Sequence, residues 1–303
     1  MGFKKWFNKK PERDYKVGIA FGGGGTKGVA HLGVLKAFEE NGIEFDEVAG
    51  TSVGSIVASC YAFGLSSDEM FEKAKQIKTS DIRNSRLFFV PSKTDGIENF
   101  LKNAIGDAHF EDMKKPLTVV AVDLKSAKEI HITTGNVIKA VAGSCAVPGV
   151  FNPVEFGDYR LADGGLQNTI PADVLRKNGC KYVISIDCNP TRGQGTESTK
   201  LVDTLFASIR IMMKSNAVKG KLYSDICIEV DTSKYKSTSL EGLQEMYDAG
   251  YNAGLKFAPK IKELFGEEEK KKSGFLSIFR KNRKKILEEQ KKNTKNTEDD
   301  LSL

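Results

Sequence analysis

Two glycine-bounded turns, about thirty residues apart, limit most strongly what this chain can fold into. The run Gly22–Gly25 and the pentapeptide Gly50–Gly54 (GTSVG) each follow an apolar stretch and precede a helical pattern. Glycines two residues before and two residues after Ser52 allow a strand to turn sharply into a helix with the hydroxyl at the apex. The glycine run offers backbone N–H donors at a helix N-terminus, where an anion is stabilised. The pattern therefore predicts an α/β protein with an exposed serine beside an anion-binding loop.

Apolar runs alternate with helical periodicity on both sides of these turns, as in a doubly wound α/β fold. The first run enters the glycines without polar alternation, which is typical of a buried parallel strand. The predicted strands are Tyr15–Phe21, Glu47–Ala49, Leu117–Asp123, Glu129–Thr133, Tyr182–Asp187 and Asp225–Val230. The predicted helices are Val29–Asn41, Ser52–Phe63, Ser67–Lys78, Asp95–Ile105, Asn136–Ser144, Pro171–Asn178, Leu201–Lys219 and Leu240–Leu264.

The net charge of +6 is concentrated at the two ends of the chain. Residues 1–17 carry six basic and two acidic groups and residues 267–303 carry eleven and eight, whereas residues 18–266 carry 29 and 30. After Gly266 the composition changes to Glu, Lys, Asn and Thr, which disfavours a packed core. We therefore predict a basic amphipathic segment at 1–14, a single folded domain at 15–266 and a basic tail, disordered or membrane-contacting, at 267–303.

Both ends combine apolar side chains at helical spacing with clusters of cations. Residues 3–7 (FKKWF) precede Lys9 and Lys10, and residues 275–279 (FLSIF) precede a basic run at 280–285. Such segments favour an anionic membrane surface, and solubilising disordered tails explain the composition equally well. No nucleic-acid binding is expected, because nothing in the body of the chain supports base recognition. The sequence leaves the oligomeric state open.

The apolar runs, the N-terminal sequence and the cysteines indicate in which cellular compartment the protein lies. No apolar run approaches twenty residues, so no membrane span is predicted, and the N-terminus lacks the apolar stretch of a secretory signal. The five cysteines are scattered without zinc-ligand spacing, so we expect reduced thiols. These features predict a cytoplasmic protein, with peripheral contact to the inner face of the membrane as an option.

A serine hydroxyl becomes a strong nucleophile only when a base accepts its proton. The three histidines, His31, His109 and His131, do not follow a late acidic residue as the α/β-hydrolase order requires, and each is expected to be hydrogen-bonded or solvated. An aspartate can serve instead if the backbone holds it against the hydroxyl. Asp163, after a short strand and before two glycines, is the candidate. An ordinary Asp-Gly turn is the alternative.

The glycine loop also fits the dinucleotide-binding pattern G-x-G-x-x-G. Glu44 or Asp46 would then be the acidic residue that binds a ribose. Because a helix N-terminus stabilises a pyrophosphate and an oxyanion alike, the pattern alone does not distinguish them. Ser52 makes a non-catalytic or nucleotide-binding Rossmann-like module the minor alternative. The three glycines of the pattern are Gly23, Gly25 and Gly28.

The motifs together resemble the patatin-like phospholipase family. One departure is Cys145, where the family often has serine or another small residue, and beyond about residue 200 the resemblance is diffuse. The matching segments, in the family's order, are Gly22–Gly28 (GGGGTKG), Gly50–Gly54 (GTSVG), Ser144–Phe151 (SCAVPGVF), Asp163–Gly165 (DGG) and Asn168–Asp173 (NTIPAD).

The resemblance implies a three-layer α/β/α fold with a mostly parallel central sheet. It also implies hydrolysis of acyl esters of membrane lipids through a Ser52–Asp163 dyad and an acyl-enzyme. Backbone N–H groups of Gly23, Gly24 and Gly25 would form the oxyanion hole. No metal or organic cofactor is implied. The supporting glycines of the motifs are Gly22, Gly28, Gly50, Gly54, Gly164 and Gly165.

Three further groups of side chains have two interpretations each. Lys27 is expected to be solvated, and contact of Thr26 and Lys27 with a head-group phosphate is the alternative. Leu87–Phe89 could line an entrance for lipid tails or pack on the body. The apolar side of the 201–219 helix is expected to pack in the core, with an acyl-chain wall as the alternative. Its side chains are Leu205, Ile209, Met212 and Met213.

The sequence leaves several properties of the expected reaction open. These are the lipid head group, the acyl-chain and positional preferences, and the choice between hydrolysis and acyl transfer, which share the acyl-enzyme.

Overall fold

The computed structural model describes residues 15–77, 92–190 and 197–266, except for the side chain of Val202. The chain divides into two compact units, residues 1–258 and 259–303. Of the second unit only residues 259–266 are described, and they are helical. The terminal segments 1–14 and 267–303 and the apolar group Leu87–Phe89 lie outside the described residues. The domain bounds expected from the sequence therefore stay predictions.

The described part of the first unit contains eight strands and eight α-helices. No helix among the described residues is both long enough and apolar enough to cross a bilayer. The strands are β1 (Lys16–Phe21), β2 (Glu47–Thr51), β3 (Leu117–Asp123), β4 (Lys128–Ile132), β5 (Val154–Phe156), β6 (Tyr159–Asp163), β7 (Cys180–Asp187) and β8 (Ile226–Glu229). The helices are α1 (Val29–Glu40), α2 (Val53–Phe63), α3 (Ser67–Lys75), α4 (Asp95–Ile105), α5 (Val137–Ser144), α6 (Ala172–Lys177), α7 (Leu201–Leu222) and α8 (residues 243–258 in this unit).

The described strands form one sheet in the order β5-β6-β3-β2-β1-β7-β8, and β4 also pairs with β3. β3, β2, β1, β7 and β8 are parallel neighbours, whereas the pairs β3–β4, β3–β6 and β5–β6 are antiparallel. Phe21 at the end of β1 pairs with Gly50 near the end of β2. The glycine loop after β1 and the turn after β2 therefore leave the sheet side by side, at its carboxyl edge.

Helices cover both faces of this sheet. Side chains along β1 alternate between the two faces. On one face, the ring of Phe21 makes an edge contact with Tyr61 of α2, with the centroids 6.4 Å apart. On the other face, Ala20 packs in an apolar cluster with Leu175 of α6 and Ala217 of α7. The predicted three-layer α/β/α fold with a mostly parallel central sheet is confirmed.

The hairpin β5–β6 is the main element that sequence reasoning missed. The sequence predicts β6 only as a short strand before Asp163 and does not predict β5, because three residues are too few for an alternating pattern to be recognised. The bounds of the other elements differ from the predicted ones by at most three residues at either end. Helix and strand ends are set by hydrogen bonding, which polarity patterns locate only approximately.

Candidate active site

Ser52 and Asp163 meet because two strands share one edge of β3. β2 pairs with the first part of that edge, up to Thr51 opposite Val120, and β6 pairs with the next part, where Asp163 lies opposite Ala121. β4 occupies the other edge at both positions. Because β2 and β6 run in opposite directions, their carboxyl ends face each other. Ser52, the residue after Thr51, is thereby brought next to Asp163.

The Ser52 hydroxyl donates a hydrogen bond to the Asp163 carboxylate, with 2.7 Å between Oγ and Oδ2. Both residues are buried, at 6% and 1% exposed. The other carboxylate oxygen, Oδ1, accepts a hydrogen bond from the backbone N–H of Gly165 at 2.8 Å. Burial raises the pKa of Asp163 to about 6, and the two hydrogen bonds oppose that rise. A carboxylate of increased proton affinity is thus in contact with a hydroxyl.

The backbone of Ser52 has a conformation that residues with side chains rarely adopt. Its φ is 54° and its ψ is −131°, and such a region costs on the order of 1–3 kcal/mol. The Ser52 N–H donates to Ser144 Oγ at 2.9 Å, and Ser144 Oγ in turn donates to the carbonyl of Val120 at 2.6 Å. Ser55 Oγ donates to the Ser52 carbonyl at 2.6 Å. These bonds hold the strained turn, as expected for a nucleophile elbow.

The glycine loop lies directly beside Ser52, since a Cβ placed on Gly23 would stand 3.4 Å from the Ser52 Cβ. The Gly23 N–H is donated to the carbonyl of Thr169 at 3.0 Å. The N–H groups of Gly24 and Gly25 make no hydrogen bond to the described residues. Two of the three predicted oxyanion donors are therefore uncommitted, and the third ties the loop to the segment after Asp163.

Residues 164–169, directly after Asp163, connect the two turns. Thr51 Oγ1 donates to the carbonyl of Asn168 at 2.9 Å, and the carbonyl of the next residue, Thr169, accepts from the glycine loop. Thr169 Oγ1 donates to the carbonyl of Met213 in α7 at 2.7 Å. Sequence reasoning missed the parts played by Ser144 and by this segment, although Ser144 and most of the segment lie in motifs that carry the family resemblance.

Most of the supporting glycines stand where a neighbouring backbone approaches too closely for a side chain. A Cβ on Gly54 would lie 2.1 Å from the carbonyl oxygen of Phe21, and one on Gly164 would lie 2.2 Å from that of Val120. These contacts explain why the motifs need glycine at positions that bear no chemistry. A Cβ would also come within 3 Å of a neighbouring atom at Gly22, Gly24, Gly25, Gly28, Gly50 and Gly165.

The hydrogen bonds described for the histidines lie away from the Ser52 hydroxyl. His31 is fully buried, and its Nε2 donates to the carbonyl of Gly22 at 2.8 Å. Burial lowers the pKa of His31 to about 4. His131 Nε2 lies 2.6 Å from the Glu129 carboxylate. These two imidazoles are hydrogen-bonded, as expected from the sequence, and neither stands where a triad would need it.

The geometry also disfavours the nucleotide-binding alternative. Asp46 Oδ2 accepts a hydrogen bond from the N–H of Val17, near the amino end of β1. Since a strand rises about 3.3 Å per residue, the four residues to Phe21 separate that end from the glycine loop by roughly 13 Å. Glu44, like Asp46, precedes β2. Neither acidic residue lies beside the loop, where a ribose would have to bind.

Lys27 is buried, so the prediction that it is solvated is wrong. Only 6% of the residue is exposed, and its Nζ donates to Asn189 Oδ1 at 3.0 Å. Burial lowers the pKa of Lys27, and nearby acidic groups oppose that change. Thr26 is held as well, because its N–H donates to the carbonyl of Ser237 and its hydroxyl to that of Lys236. The charge of Lys27 suggested solvent, whereas the tight turn carries the side chain inward.

Helix α7 uses only part of its apolar surface to cover the site. A Cβ on Gly165 would lie 2.2 Å from Met213 Cε, and Ile209 is half-buried. Leu205 and Met212 are 55% and 47% exposed. The core prediction is wrong for these two side chains. Apolar residues occur on more than one side of α7, so periodicity does not tell which side packs against the body.

Comparison with known sequences agrees with the family resemblance of the motifs. The family model described as patatin-like phospholipase matches residues 19–176, more than half of the 303 residues. An uncharacterised NTE family protein of Mycobacterium tuberculosis is 30% identical over 186 residues, 59% of this chain and 32% of that protein. Lysophospholipase NTE1 of Mycosarcoma maydis is 28% identical over 280 residues, 79% of this chain and 14% of that protein. The chain thus spans about a third or less of the length of these relatives.

Among solved structures, VipD from Legionella pneumophila has a TM-score of 0.55 at 14% identity, covering 82% of this chain and 67% of VipD. At that identity the likeness concerns the fold alone. The glycine loop, the Ser52 turn and Asp163 all fall inside the region that the family model matches. On these grounds the chain belongs to the patatin-like phospholipase family.

Proposed function

We propose that this protein is a serine lipid acyl hydrolase that cleaves acyl esters of membrane lipids through Ser52 and Asp163. The observation that carries the proposal is the 2.7 Å hydrogen bond from Ser52 Oγ to Asp163 Oδ2 in a buried corner. A hydroxyl acts as a nucleophile when a base in contact with it takes its proton. Family membership supports the same assignment.

In the first half-reaction, Ser52 Oγ attacks the ester carbonyl carbon while its proton passes to Asp163 Oδ2. The carbonyl π electrons move onto oxygen, which gives a tetrahedral oxyanion. When the intermediate collapses, the bond from carbon to the alkoxy oxygen breaks and the leaving alcohol takes the proton from Asp163. The acyl group remains as an ester of Ser52.

In the second half-reaction, a water molecule attacks the acyl-enzyme and Asp163 accepts the water proton. Collapse breaks the bond to Ser52 Oγ, which recovers a proton from Asp163, and a fatty acid leaves. An alcohol in place of water would give acyl transfer through the same groups. A positioned base contributes typically about 10²- to 10⁴-fold to such steps.

The oxyanion requires donors that are not already committed. Gly24 and Gly25 have N–H groups without a described partner, which supports them as the donors. The Gly23 N–H is engaged by Thr169, so it would join the oxyanion hole only if that bond were exchanged.

The proposed substrate class rests on the comparisons and on the acyl chemistry. The family description names phospholipases, and one relative is named a lysophospholipase. Lys27 in the glycine loop already donates to Asn189, so we do not assign it to a head-group phosphate. Mass spectrometry of lipids after incubation with the active protein and with Ser52→Ala would identify the head group and acyl position.

The proposal is tested by labelling with a fluorophosphonate probe together with hydrolysis of a soluble short-chain ester. The probe should modify Ser52. Ser52→Ala should abolish labelling and lower ester hydrolysis by at least about 10³-fold. Ser59→Ala is the matched control, because Ser59 is a buried serine of α2, the helix that begins directly after Ser52, and its Oγ donates to the carbonyl of Ile56 at 2.9 Å. Labelling that survives Ser52→Ala would contradict the proposal.

A further inference from the structure

Exposed apolar side chains are concentrated on α7. Ten large apolar side chains among the described residues are exposed, and six of them lie on this helix. Single exposed apolar residues are ordinary, whereas a contiguous patch marks a surface that meets another apolar phase or a protein. The six are Leu201, Leu205, Ile211, Met212, Val218 and Leu222, between 47% and 79% exposed.

The spacing of these six side chains places them on one side of α7. Leu201, Leu205 and Met212 follow one another at intervals of four and seven residues and form one line. Ile211, Val218 and Leu222 follow at intervals of seven and four residues and form a second line. Both intervals return to nearly the same side of a helix. The two lines lie next to each other along a helix of 22 residues, roughly 30 Å in length.

Cations border this surface, and no acidic residue belongs to it. Arg210 and Lys214 are both exposed and lie one helical turn apart, and Lys214 neighbours Ile211 at three residues. The single acidic residue of α7, Asp203, accepts a hydrogen bond from Ser198 Oγ at 2.5 Å. Apolar side chains beside positive charge are the combination that an anionic lipid surface attracts.

The opposite side of α7 is fixed to the active site. Its Met213 carbonyl accepts from Thr169 Oγ1 at 2.7 Å, and Asn216 Nδ2 donates to the carbonyl of Leu166 at 2.6 Å. Both partners belong to the segment directly after Asp163. A surface that binds the exposed side of α7 is therefore held next to the catalytic corner.

We propose that the exposed side of α7 docks this protein onto an anionic lipid surface. The inference rests on the proposed function, because a lipid hydrolase must bring a buried serine to a substrate that resides in a bilayer. This contact is separate from the terminal segments 1–14 and 267–303, whose membrane contact is predicted from the sequence alone. The two lines of apolar side chains insert into the lipid surface. The cations Arg210 and Lys214 account for the preference for negatively charged lipid.

The test is flotation of the full chain with lipid vesicles, in a Ser52→Ala background so that turnover does not alter the membrane. The vesicles contain phosphatidylcholine with phosphatidylglycerol, or phosphatidylcholine alone. Leu205→Asp combined with Met212→Asp should lower the affinity for anionic vesicles at least about tenfold. The matched control is Leu124→Asp combined with Leu255→Asp, which alters exposed leucines outside α7. This control should change the affinity for anionic vesicles by less than about twofold.

Charge is tested separately by Arg210→Gln combined with Lys214→Gln, which should weaken binding to anionic vesicles and leave binding to neutral vesicles unchanged. Thermal unfolding verifies that each variant is folded. If the aspartate pair fails to fold, Leu205→Ser with Met212→Ser should lower the affinity in the same direction by a smaller factor.

Equal vesicle affinity of the α7 variants and their parent would overturn the proposal, as would an equal loss in the Leu124 and Leu255 control. Conversion of a dimer to a monomer by the α7 pair, without a change in flotation, would assign this surface to a second copy of the chain and also overturn it. Flotation does not depend on Ser52, so failure of docking is distinguishable from failure of the proposed chemistry.

Discussion

The corner around Ser52 and the neighbouring helix α7 differ in how they treat polar and apolar groups. In the corner, the Ser52 hydroxyl, the Ser52 N–H and both carboxylate oxygens of Asp163 are buried and hydrogen-bonded. On α7, large apolar side chains such as Leu205 face solvent. The corner buries polar groups and pairs them in hydrogen bonds, whereas α7 exposes apolar side chains to water.

This difference indicates which changes each region tolerates. A buried polar pair loses function and stability when one partner is removed, because the other is left without a hydrogen bond. An exposed apolar side chain loses little on truncation in solution, because it contributes little to the core. Effects of substitutions should therefore fall steeply from the corner to the exposed side of α7.

The largest effect is expected from Asp163→Asn. An amide cannot accept the Ser52 proton, so kcat/KM for a soluble ester should fall about 10²- to 10⁴-fold. The asparagine side chain can still accept the hydrogen bond from the Gly165 N–H, so the corner should keep its shape. Wild-type activity in this variant would remove Asp163 from the mechanism.

The stability of the same variant separates lost chemistry from misfolding. The folded-state pKa of Asp163 is about 6, above the value of about 3.9 expected in the unfolded chain. The carboxylate therefore opposes folding at pH values above 6, by on the order of 3 kcal/mol, and the penalty disappears as the pH falls towards 4. At pH 8 the free energy of unfolding of Asp163→Asn should equal or exceed that of the wild type. A large decrease in the free energy of unfolding of this variant, measured by chemical denaturation at pH 8, would contradict this account.

The next effect is expected at the glycine loop. Gly25 and Gly42 have similar positive φ values, 61° and 65°, but a Cβ on Gly25 would lie 2.2 Å from the Ser237 carbonyl oxygen and one on Gly42 would meet nothing within 4 Å. Gly42→Ala should lose about 1 kcal/mol of stability through its positive φ alone, and Gly25→Ala should lose more because its Cβ would also clash with a backbone carbonyl. Only Gly25→Ala should displace the oxyanion donors and lower kcat, by about 10²- to 10³-fold. Equal ester hydrolysis by the two variants would argue against the loop as the oxyanion hole.

The pH dependence of acylation should report the buried carboxylate. Because only charged Asp163 accepts a proton, the rate should fall about tenfold for each pH unit below about 6 and level off above it. The profile is measured by ester hydrolysis over the range in which the protein stays folded. The residual activity of Asp163→Asn should lack this step. A midpoint near 4, the usual value for an exposed aspartate, would mean that burial does not perturb the base.

A smaller effect is expected from Ser144→Ala, which removes the acceptor of the Ser52 N–H and the donor to the Val120 carbonyl. Leaving these buried groups without partners should cost about 1–3 kcal/mol in urea denaturation. Ser59→Ala, which breaks one bond within its own helix, should cost less. Equal decreases in the free energy of unfolding would show that the hydrogen bonds of Ser144 stabilise the protein no more than the bond within the helix.

The smallest effect is expected on the exposed side of α7. Leu205→Ala and Met212→Ala should each change the free energy of unfolding by less than about 0.5 kcal/mol. Leu161→Ala, at a fully buried position of β6, should cost about 2–5 kcal/mol. A large loss at Leu205 or Met212 would mean that the exposed side of α7 is covered in solution.

The success of sequence reasoning depended on how local each feature is. The turn at Ser52 and the glycine loop were recognisable because glycine spacing acts over a few residues. Most strands and helices followed from periodicity, and the family and the fold were identified correctly. β5 is not predicted because it has only three residues. Ser144 lies in a recognisable motif, but its role is not predictable from the sequence because its contact with Ser52 spans 92 residues.

Turn chemistry and apolar periodicity were enough to name Ser52 and Asp163 as candidates, since both are short-range properties of the chain. That the two side chains meet, 111 residues apart, follows only from the pairing of β2 and β6 with one edge of β3. Tertiary packing likewise buries Lys27 and exposes Leu205, against the usual preference of each residue type. Burial and strand pairing depend on contacts between distant segments, which no local pattern contains.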